Sequence, residues 1–173
     1  MRISPPISGT LWRELPVGDK GSEKPLIVDG HVVPAGTWVG VNMYTIHHNE
    51  DYFPEPFAFN PERWLDEDVS TEGKAARRTL REAFSAFGVG SRSCAGKVMA
   101  YMEANAVLAK TLWYFNFERP LGTTSDGVGG GVSGDCTGRE KVDEFQILDQ
   151  FIADHKGPCL VFRARDDLWQ DLE

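Results

Sequence analysis

The sequence predicts an α+β fold built from one long helix, small β-hairpins and a proline-rich meander. Apolar residues recur at three- and four-residue steps over residues 98–112, and this spacing predicts a helix over residues 96–113 whose apolar stripe faces a core. Asp29-Gly30 separates two runs of β-branched residues, which predicts a hairpin over residues 26–41. Closely spaced prolines over residues 51–65 exclude both a long helix and a paired strand there.

Length and composition indicate one globular domain. The chain has 173 residues, of which 41% are hydrophobic, and it contains no run of about 18 apolar residues that would cross a membrane. Its net charge of −8 argues against nucleic acid as the main partner. The irregularly spaced cysteines Cys94, Cys136 and Cys159 indicate neither a disulfide framework nor a zinc site.

Cys94 lies at the end of a glycine-interrupted loop, just before the predicted helix. The first backbone N–H groups of a helix lack intrahelical partners and carry partial positive charge, which favours a thiolate over a thiol. Such a sulfur can bind a metal or attack an electrophile. Gly88 and Gly90 allow a tight reversal of the chain, and Gly96 leaves room for a flat ligand against the start of the helix.

Two further side chains beside the cysteine favour a planar, negatively charged ligand. Phe87 offers an aromatic face, and Arg92 offers a fork of N–H donors suited to a carboxylate. The loop resembles the haem-binding motif of the cytochrome P450 monooxygenases, Phe-x-x-Gly-x-Arg-x-Cys-x-Gly. The matching residues are Phe87, Gly90, Arg92, Cys94 and Gly96, with Gly88 also present. The resemblance implies that Cys94 is the axial thiolate ligand of haem iron and that Arg92 pairs with a haem propionate.

Three other interpretations of the loop were compared with this one. A phosphate-binding loop has four residues between its glycines, whereas five separate Gly90 from Gly96, and Val98 stands where that motif has Ser or Thr. A dinucleotide-binding fingerprint requires a third glycine, and residues 88–93 of this chain do not contain it. A hydrolase or transferase with Cys94 as nucleophile is kept as an alternative, although no sequence pattern ties a histidine to this cysteine.

The proline-rich meander carries a second similarity to the same family. Residues 59–64 read Phe-Asn-Pro-Glu-Arg-Trp and fill every position of the family's Phe-x-Pro-Glu-Arg-(Trp/Phe) motif. In the family this arginine completes a buried cluster with the glutamate and arginine of a Glu-x-x-Arg helix. Arg63 and Arg2 match the two arginines, and the glutamate would precede Met1. We therefore expect a C-terminal fragment of a fold that is mainly α in the whole protein, forming a single partial domain over residues 1–173.

The resemblance and the local patterns assign roles outside the two motifs. Arg13, in an extended segment, is the candidate partner of a second haem propionate by resemblance. Residues 121–138 are rich in Gly, Ser and Thr and are predicted to form a flexible loop. Residues 144–149 and 159–163 are predicted to close the chain as a final hairpin. By resemblance, its tip at residues 151–153 would touch the substrate.

Two polar stretches are interpreted as structural first. His47 and His48 point roughly 100° apart on a short helix predicted over residues 43–49, so hydrogen bonding is favoured over joint metal binding. The run over residues 74–81 is basic and helix-compatible, which indicates a solvated face. The resemblance adds a second interpretation of this run, as a surface that receives an electron donor.

The resemblance implies a haem-thiolate monooxygenase of fungal type that inserts one atom of O2 into a small organic substrate. Its cofactor would be haem b, and its electrons would come from NADPH through a reductase or a similar donor. The full-length protein would lie at the cytoplasmic face of the endoplasmic reticulum membrane, held by an anchor upstream of this chain. The family's oxygen-activating helix would also lie upstream of Met1, so a non-catalytic haem-binding remnant is the alternative.

Overall fold

The computed structural model describes residues 1–16, 25–65, 70–124, 126–168 and 170. They group into two compact units. The first comprises Met1–Phe84 and Asp149–Ile152, and the second comprises Ser85–Leu148 and Ala153–Glu173. The single partial domain expected over residues 1–173 stays a prediction.

Four short strands in the first unit form two antiparallel pairs. β1 (Arg13–Glu14) pairs with β4 (Trp38–Val39), and β2 (Leu26–Val28) pairs with β3 (His31–Val33). The β2–β3 hairpin turns at the predicted place. Asp29 and Gly30 have φ angles of 47° and 77°, and a two-residue hairpin turn of this kind requires positive φ at both positions.

Each helix of the first unit begins at a residue that satisfies its orphan N–H groups or fixes its backbone. The Asn42 side chain accepts from the Thr45 N–H at the start of α1 (Met43–His47), and the Ser70 side chain accepts from the Gly73 N–H at the start of α2 (Thr71–Ala83). Between them, Pro61–Trp64 forms one turn of 3-10 helix. A proline suits this start because its φ is already helical and its missing N–H would be unpaired there.

An aromatic cluster forms the core of the first unit. The buried rings of His47 and Phe53 meet edge to face with centroids 6.0 Å apart, and His47 stacks on Phe84 at 5.4 Å. Trp64 contacts both phenylalanines, at 6.3 Å from Phe53 and 5.4 Å from Phe84. Leu80 of α2 is buried as well. The core therefore joins the meander to both helices of the unit.

The second unit contains the long helix and the last strand pair. A 3-10 turn (Gly90–Arg92) precedes α3 (Lys97–Tyr114), which runs directly into β5 (Phe115–Glu118). A further 3-10 turn spans Asp126–Val128, and β6 (Val161–Ala164) pairs antiparallel with β5.

The pairing of the last strand differs from the predicted final hairpin. Residues 144–149 contribute only an isolated bridge, Leu148 to Asp154, while β6 pairs with β5. The reason is side-chain complementarity across the β5–β6 pair. Phe162 lies opposite Phe117 with ring centroids 5.8 Å apart, and Arg163 donates two hydrogen bonds to Glu118.

The apolar residues of α3 do not face a core in the described ranges. Val98 is 71% exposed, Met102 68% and Leu112 55%, and none of the helix's residues is buried. The predicted core-facing stripe is therefore wrong for this chain, because the residues that the structure describes supply no element that covers it. A helix with apolar residues on several faces normally lies inside a larger core.

Two main-chain hydrogen bonds connect the end of the triplet Gly129–Gly131 to residues 139–141. The Gly131 N–H donates to the Lys141 carbonyl over 2.9 Å, and the Val132 N–H donates to the Arg139 carbonyl over 2.8 Å. Gly129 and Gly131 are buried. The flexibility expected for residues 121–138 stays a prediction.

No helix within the described part of the chain has the length and apolar content needed to cross a membrane.

Candidate haem-binding site

Main-chain hydrogen bonds close the loop that carries Cys94. The Cys94 N–H donates to the Phe87 carbonyl over 2.7 Å, so the two ends of the motif meet. At its start, the Gly88 N–H donates to the Ser85 carbonyl over 2.8 Å. The 3-10 turn Gly90–Arg92 lies between Phe87 and Cys94 in the chain. The loop is thus a closed turn that delivers the cysteine to the start of α3.

The three glycines of the motif have two different roles. Gly88 and Gly90 have φ angles of 68° and 72°, a region that residues with a Cβ rarely adopt. Gly96 has an ordinary φ of −82° and lies at the N-cap of α3. A Cβ at position 96 would lie 3.8 Å from the Cys94 sulfur, which is a normal van der Waals contact. The folded chain by itself therefore has room for a larger residue at Gly96.

The chemical groups of the loop are accessible. Cys94 and Arg92 are both exposed. Within the described ranges, no side chain makes a hydrogen bond to the Cys94 sulfur, and the Arg92 guanidinium has neither a hydrogen bond nor an ion pair. A soft sulfur ligand and a cation that can receive a carboxylate therefore lie two residues apart on an exposed loop.

Phe87 is held in place by two residues of α3. Its ring lies 5.2 Å from the Tyr101 ring and 5.9 Å from the Lys97 ammonium. Lys97 and Tyr101 were not among the site residues predicted from the sequence. Lys97 and Tyr101 are four residues apart and therefore share one face of the helix, and this spacing could have revealed them. These contacts fix the aromatic ring at the beginning of the motif.

Arg13 lies on β1 in the first unit. Its side chain is exposed, and its Nη1 donates to the neighbouring Trp12 carbonyl over 2.9 Å. Cys94 and Arg92 belong to the second unit. The role of Arg13 toward a haem propionate therefore stays a prediction.

The two arginines predicted to be structural are both bound by main-chain carbonyls. Arg2, only 6% exposed, donates to the His47 carbonyl over 2.8 Å and to the Ala58 carbonyl over 3.4 Å. Its guanidinium also lies 5.2 Å from the Phe53 ring centre. Burial, and then the charge of Arg63, lower the pKa of Arg2 to about 10. Arg2 is therefore a costly buried cation.

Arg63 binds the meander in the same way. It donates to the Pro54 carbonyl over 2.8 Å and to the Asn60 carbonyl over 3.1 Å, with a longer bond to the Glu55 carbonyl. In the part of the chain that the structure describes, no carboxylate pairs with Arg63 or Arg2. The carbonyl groups satisfy the donors of these arginines, although they do not neutralise the two charges.

His47 is a core residue. Its side chain is completely buried between Phe84 and Phe53. Burial, the neighbouring His48 and the Arg2 cation lower the pKa of His47 to about 4. The imidazole is therefore neutral at physiological pH. His48 stacks instead on Tyr44, with ring centroids 3.9 Å apart, and its Nδ1 lies 2.8 Å from the Tyr44 carbonyl oxygen.

Comparisons with known proteins agree with the motifs. The family model described as Cytochrome P450 matches residues 1–128. A Cytochrome P450 monooxygenase of Gibberella zeae is 42% identical over 170 residues, which cover 98% of this chain and 36% of that protein. Cytochrome P450 monooxygenase AKT7 of Alternaria alternata is 40% identical over 165 residues, covering 94% of this chain and 30% of that protein.

Solved structures show the same fold. A cytochrome P450DA heme domain superposes with a TM-score of 0.64 at 19% identity, over 95% of this chain and 29% of that chain. A zebra fish cytochrome P450 gives a TM-score of 0.59 at 26% identity, over 95% of this chain and 30% of that chain. The chain belongs to the cytochrome P450 family. It spans about a third of the length of the fungal relatives that it matches.

Proposed function

We propose that Cys94 is the thiolate ligand of haem b and that this chain supplies the haem-binding part of a monooxygenase. The observation that carries the proposal is the geometry of the loop: an exposed, unpaired sulfur three residues before α3, on a turn closed by the Cys94–Phe87 hydrogen bond. Membership of a family whose fungal relatives are named monooxygenases supports the same conclusion.

The proposal assigns a role to three residues of the loop and to Arg13 of β1. The Cys94 sulfur binds the iron and donates electron density to it. Arg92, which has no partner of its own in the described structure, binds a propionate, and Arg13 binds the other. Phe87, held by Lys97 and Tyr101, packs beside the sulfur. The haem, when bound, supplies the chemistry that inserts one atom of O2 into an organic substrate.

Haem reconstitution tests the ligand assignment. The purified chain is mixed with haem, reduced and exposed to carbon monoxide, and the red-shifted Soret band of thiolate ligation is expected. Cys94→Ala should lose this band. Cys159→Ala is the matched control, because Cys159 is also an exposed free cysteine of the second unit, and it should keep the band. Loss of the band in both variants, or no haem uptake by the wild type, would contradict the assignment.

For electron delivery, we propose that a basic surface on α2 receives an NADPH-dependent reductase. The surface consists of Lys74, Arg77, Arg78 and Arg81. Arg78 is engaged with Glu82 over 2.8 Å, whereas Lys74 is exposed and has no ion pair among the described residues. Lys74→Glu should slow reductase-dependent haem reduction, and the slowing should be greatest at low salt.

The control for this surface is Lys110→Glu, which makes the same charge change on α3. Haem reduction is followed by formation of the carbon monoxide complex after NADPH and reductase are added. Equal slowing by Lys74→Glu and Lys110→Glu would show a general effect of net charge and would contradict the assigned surface. The proposed setting of this partnership is the cytoplasmic face of the endoplasmic reticulum membrane, where such reductases lie.

Residues 151–153 are proposed to contact a small organic substrate. Phe151 and Ile152 are 75% and 68% exposed, although both are large and apolar. Exposed apolar side chains that are adjacent on a short loop are suited to binding an apolar molecule. Phe151→Ala should alter the affinity of a reconstituted protein for an apolar ligand without altering the Soret band of the carbon monoxide complex.

A second candidate function is haem binding without turnover. The observation that favours it is the exposed apolar surface of α3. In this case the reconstituted chain would show thiolate ligation but no product after NADPH and reductase are added. The alternative with Cys94 as a nucleophile is weaker, because no base hydrogen-bonds its sulfur in the described structure.

A further inference from the structure

A small cavity in the second unit lies apart from the Cys94 loop in sequence and contains unused hydrogen-bond donors. It has a volume of about 120 Å³, roughly ten times the ~10–15 Å³ that one water needs. Its lining residues comprise three consecutive glycines, two basic residues, one acidic residue, one amide residue and two apolar residues. They are Gly129–Gly131, Arg139, Lys156, Asp135, Gln146, Val132 and Leu148.

The cations of this cavity are available to a ligand. The Lys156 ammonium has no hydrogen bond or ion pair within the described ranges. The Arg139 Nη1 donates to the Ile147 carbonyl over 3.1 Å, which fixes the guanidinium and leaves its other N–H groups without a hydrogen bond. The Gly130 N–H likewise has no acceptor in the described structure. The residues that carry these three kinds of donor therefore line one small space.

The carboxylate in the lining is already engaged. Asp135 Oδ1 accepts from the Thr137 N–H over 2.6 Å and from the Thr137 hydroxyl over 2.5 Å. Asp135 also interacts electrostatically with Arg139, so the two cations and one carboxylate of the lining leave a single net positive charge. An anion is therefore favoured over a cation or a neutral polar ligand.

The glycines determine the shape of the cavity wall. A Cβ at Gly131 would overlap the carbonyl of Arg139, and a Cβ at Gly129 would overlap the Phe145 ring. Gly129 also has a φ of 87°, which favours glycine. The backbone of this segment is therefore held close to its neighbours, and its position is determined by packing. Val132 and Leu148 give the same cavity an apolar part.

We propose that this cavity binds a small organic carboxylate. Arg139, Lys156 and the Gly130 N–H hold the carboxylate group, and Val132 and Leu148 contact a short hydrocarbon tail. The site does not involve the haem ligand. Cys94→Ala should therefore bind the carboxylate as the wild type does, so failure of haem binding and failure of this site are distinguishable.

Isothermal titration of the whole chain with sodium butanoate tests the site at constant ionic strength. Butanoate should bind saturably, whereas butanamide, which has a similar shape and no charge, should not. Lys156→Gln should weaken butanoate binding by about tenfold or more, since it removes a charge-assisted contact. Lys110→Gln, a cation on α3 of the same unit, should leave the affinity unchanged.

Several outcomes would overturn the proposal. These are the absence of saturable butanoate binding, equal binding of butanamide, and equal weakening by Lys156→Gln and Lys110→Gln. Lys156→Gln is the variant of choice because the Lys156 side chain makes no hydrogen bond in the described structure. An Arg139 variant would also remove the hydrogen bond to the Ile147 carbonyl, and a loss of binding would then not separate ligand contact from folding. Acetate should bind several-fold more weakly than butanoate, and equal affinities would refute the role of Val132 and Leu148.

Discussion

Protonation of His47 should destabilise the first unit as the pH falls. The imidazole is completely buried against Phe84 and Phe53, and its pKa is lowered from 6.5 to about 4. In the unfolded chain this pKa returns to its ordinary value, so below pH 6.5 the unfolded state binds more protons than the folded state. The stabilisation that depends on neutral His47 is therefore complete above pH 6.5 and is lost between pH 6.5 and about 4.

The size of the effect follows from the two pKa values. A difference between 6.5 and about 4 corresponds to at most about 3.5 kcal/mol, since one pKa unit is about 1.4 kcal/mol. Over the narrower interval from pH 7 to pH 5, the same linkage gives a loss of about 2 kcal/mol in the free energy of unfolding. The difference between the wild type and a variant without this imidazole isolates the contribution of His47 from those of other titrating groups.

Urea unfolding at a series of pH values measures this loss. His47→Gln cannot be protonated, so its free energy of unfolding should fall by about 2 kcal/mol less than that of the wild type between pH 7 and pH 5. His31→Gln is the control, because His31 is an exposed residue of the β2–β3 hairpin, and it should behave as the wild type does. Parallel pH profiles for the wild type and His47→Gln would refute the reasoning.

Three further substitutions test the local structure by urea unfolding at pH 7. Ser70→Ala removes the side-chain acceptor at the start of α2 and should cost about 1 kcal/mol, whereas Ser133→Ala, at an exposed loop position, should cost little. Gly40→Ala should cost about 1–3 kcal/mol, because the new Cβ would overlap the Thr10 methyl group; a neutral effect would show that this contact relaxes freely. Gly90→Ala enters open space, so its cost of about 1–2 kcal/mol should come only from the positive φ, and no loss would mean that the loop readily changes its backbone.

Features determined by neighbouring residues could be predicted from the sequence. Asp29-Gly30 forms the hairpin turn, residues 51–65 form neither a long helix nor a paired strand, and the long helix spans Lys97–Tyr114. Each of these follows from backbone preferences or from side-chain spacing within a few residues. The motif around Cys94 belongs to the same class, because the hydrogen bond that closes it joins residues only seven positions apart.

Features that depend on distant contacts could not be predicted in this way. The partner of β6 is β5, which lies more than 40 residues earlier, and the contact between Arg163 and Glu118 leaves no local pattern. Residues 144–149 have strand-like alternation, but alternation does not specify a partner. The cavity lined by Arg139 and Lys156 could not be predicted for the same reason, since these residues line one space only after the chain has folded back.

Burial could not be predicted from local sequence either, since some apolar residues are exposed and one charged residue near the beginning of the chain is buried. The sequence assigned the apolar residues of α3 to a core, yet Val98 and Met102 are exposed. Arg2, by contrast, is a charged residue near the beginning of the chain, and it is buried beside His47. Periodicity indicates which residues share a helix face, but the element that covers that face depends on the rest of the fold.

The contrast between Gly40 and Gly96 separates structural glycines from ligand-related ones. At Gly40 the neighbouring Thr10 explains the absence of a side chain, since a Cβ would overlap it. At Gly96 neither the backbone angle nor any neighbour requires glycine: φ is −82°, and a Cβ would rest 3.8 Å from the Cys94 sulfur. A flat ligand bound to that sulfur would occupy this space. The chain's own packing does not explain why position 96 is glycine, whereas haem binding would explain it.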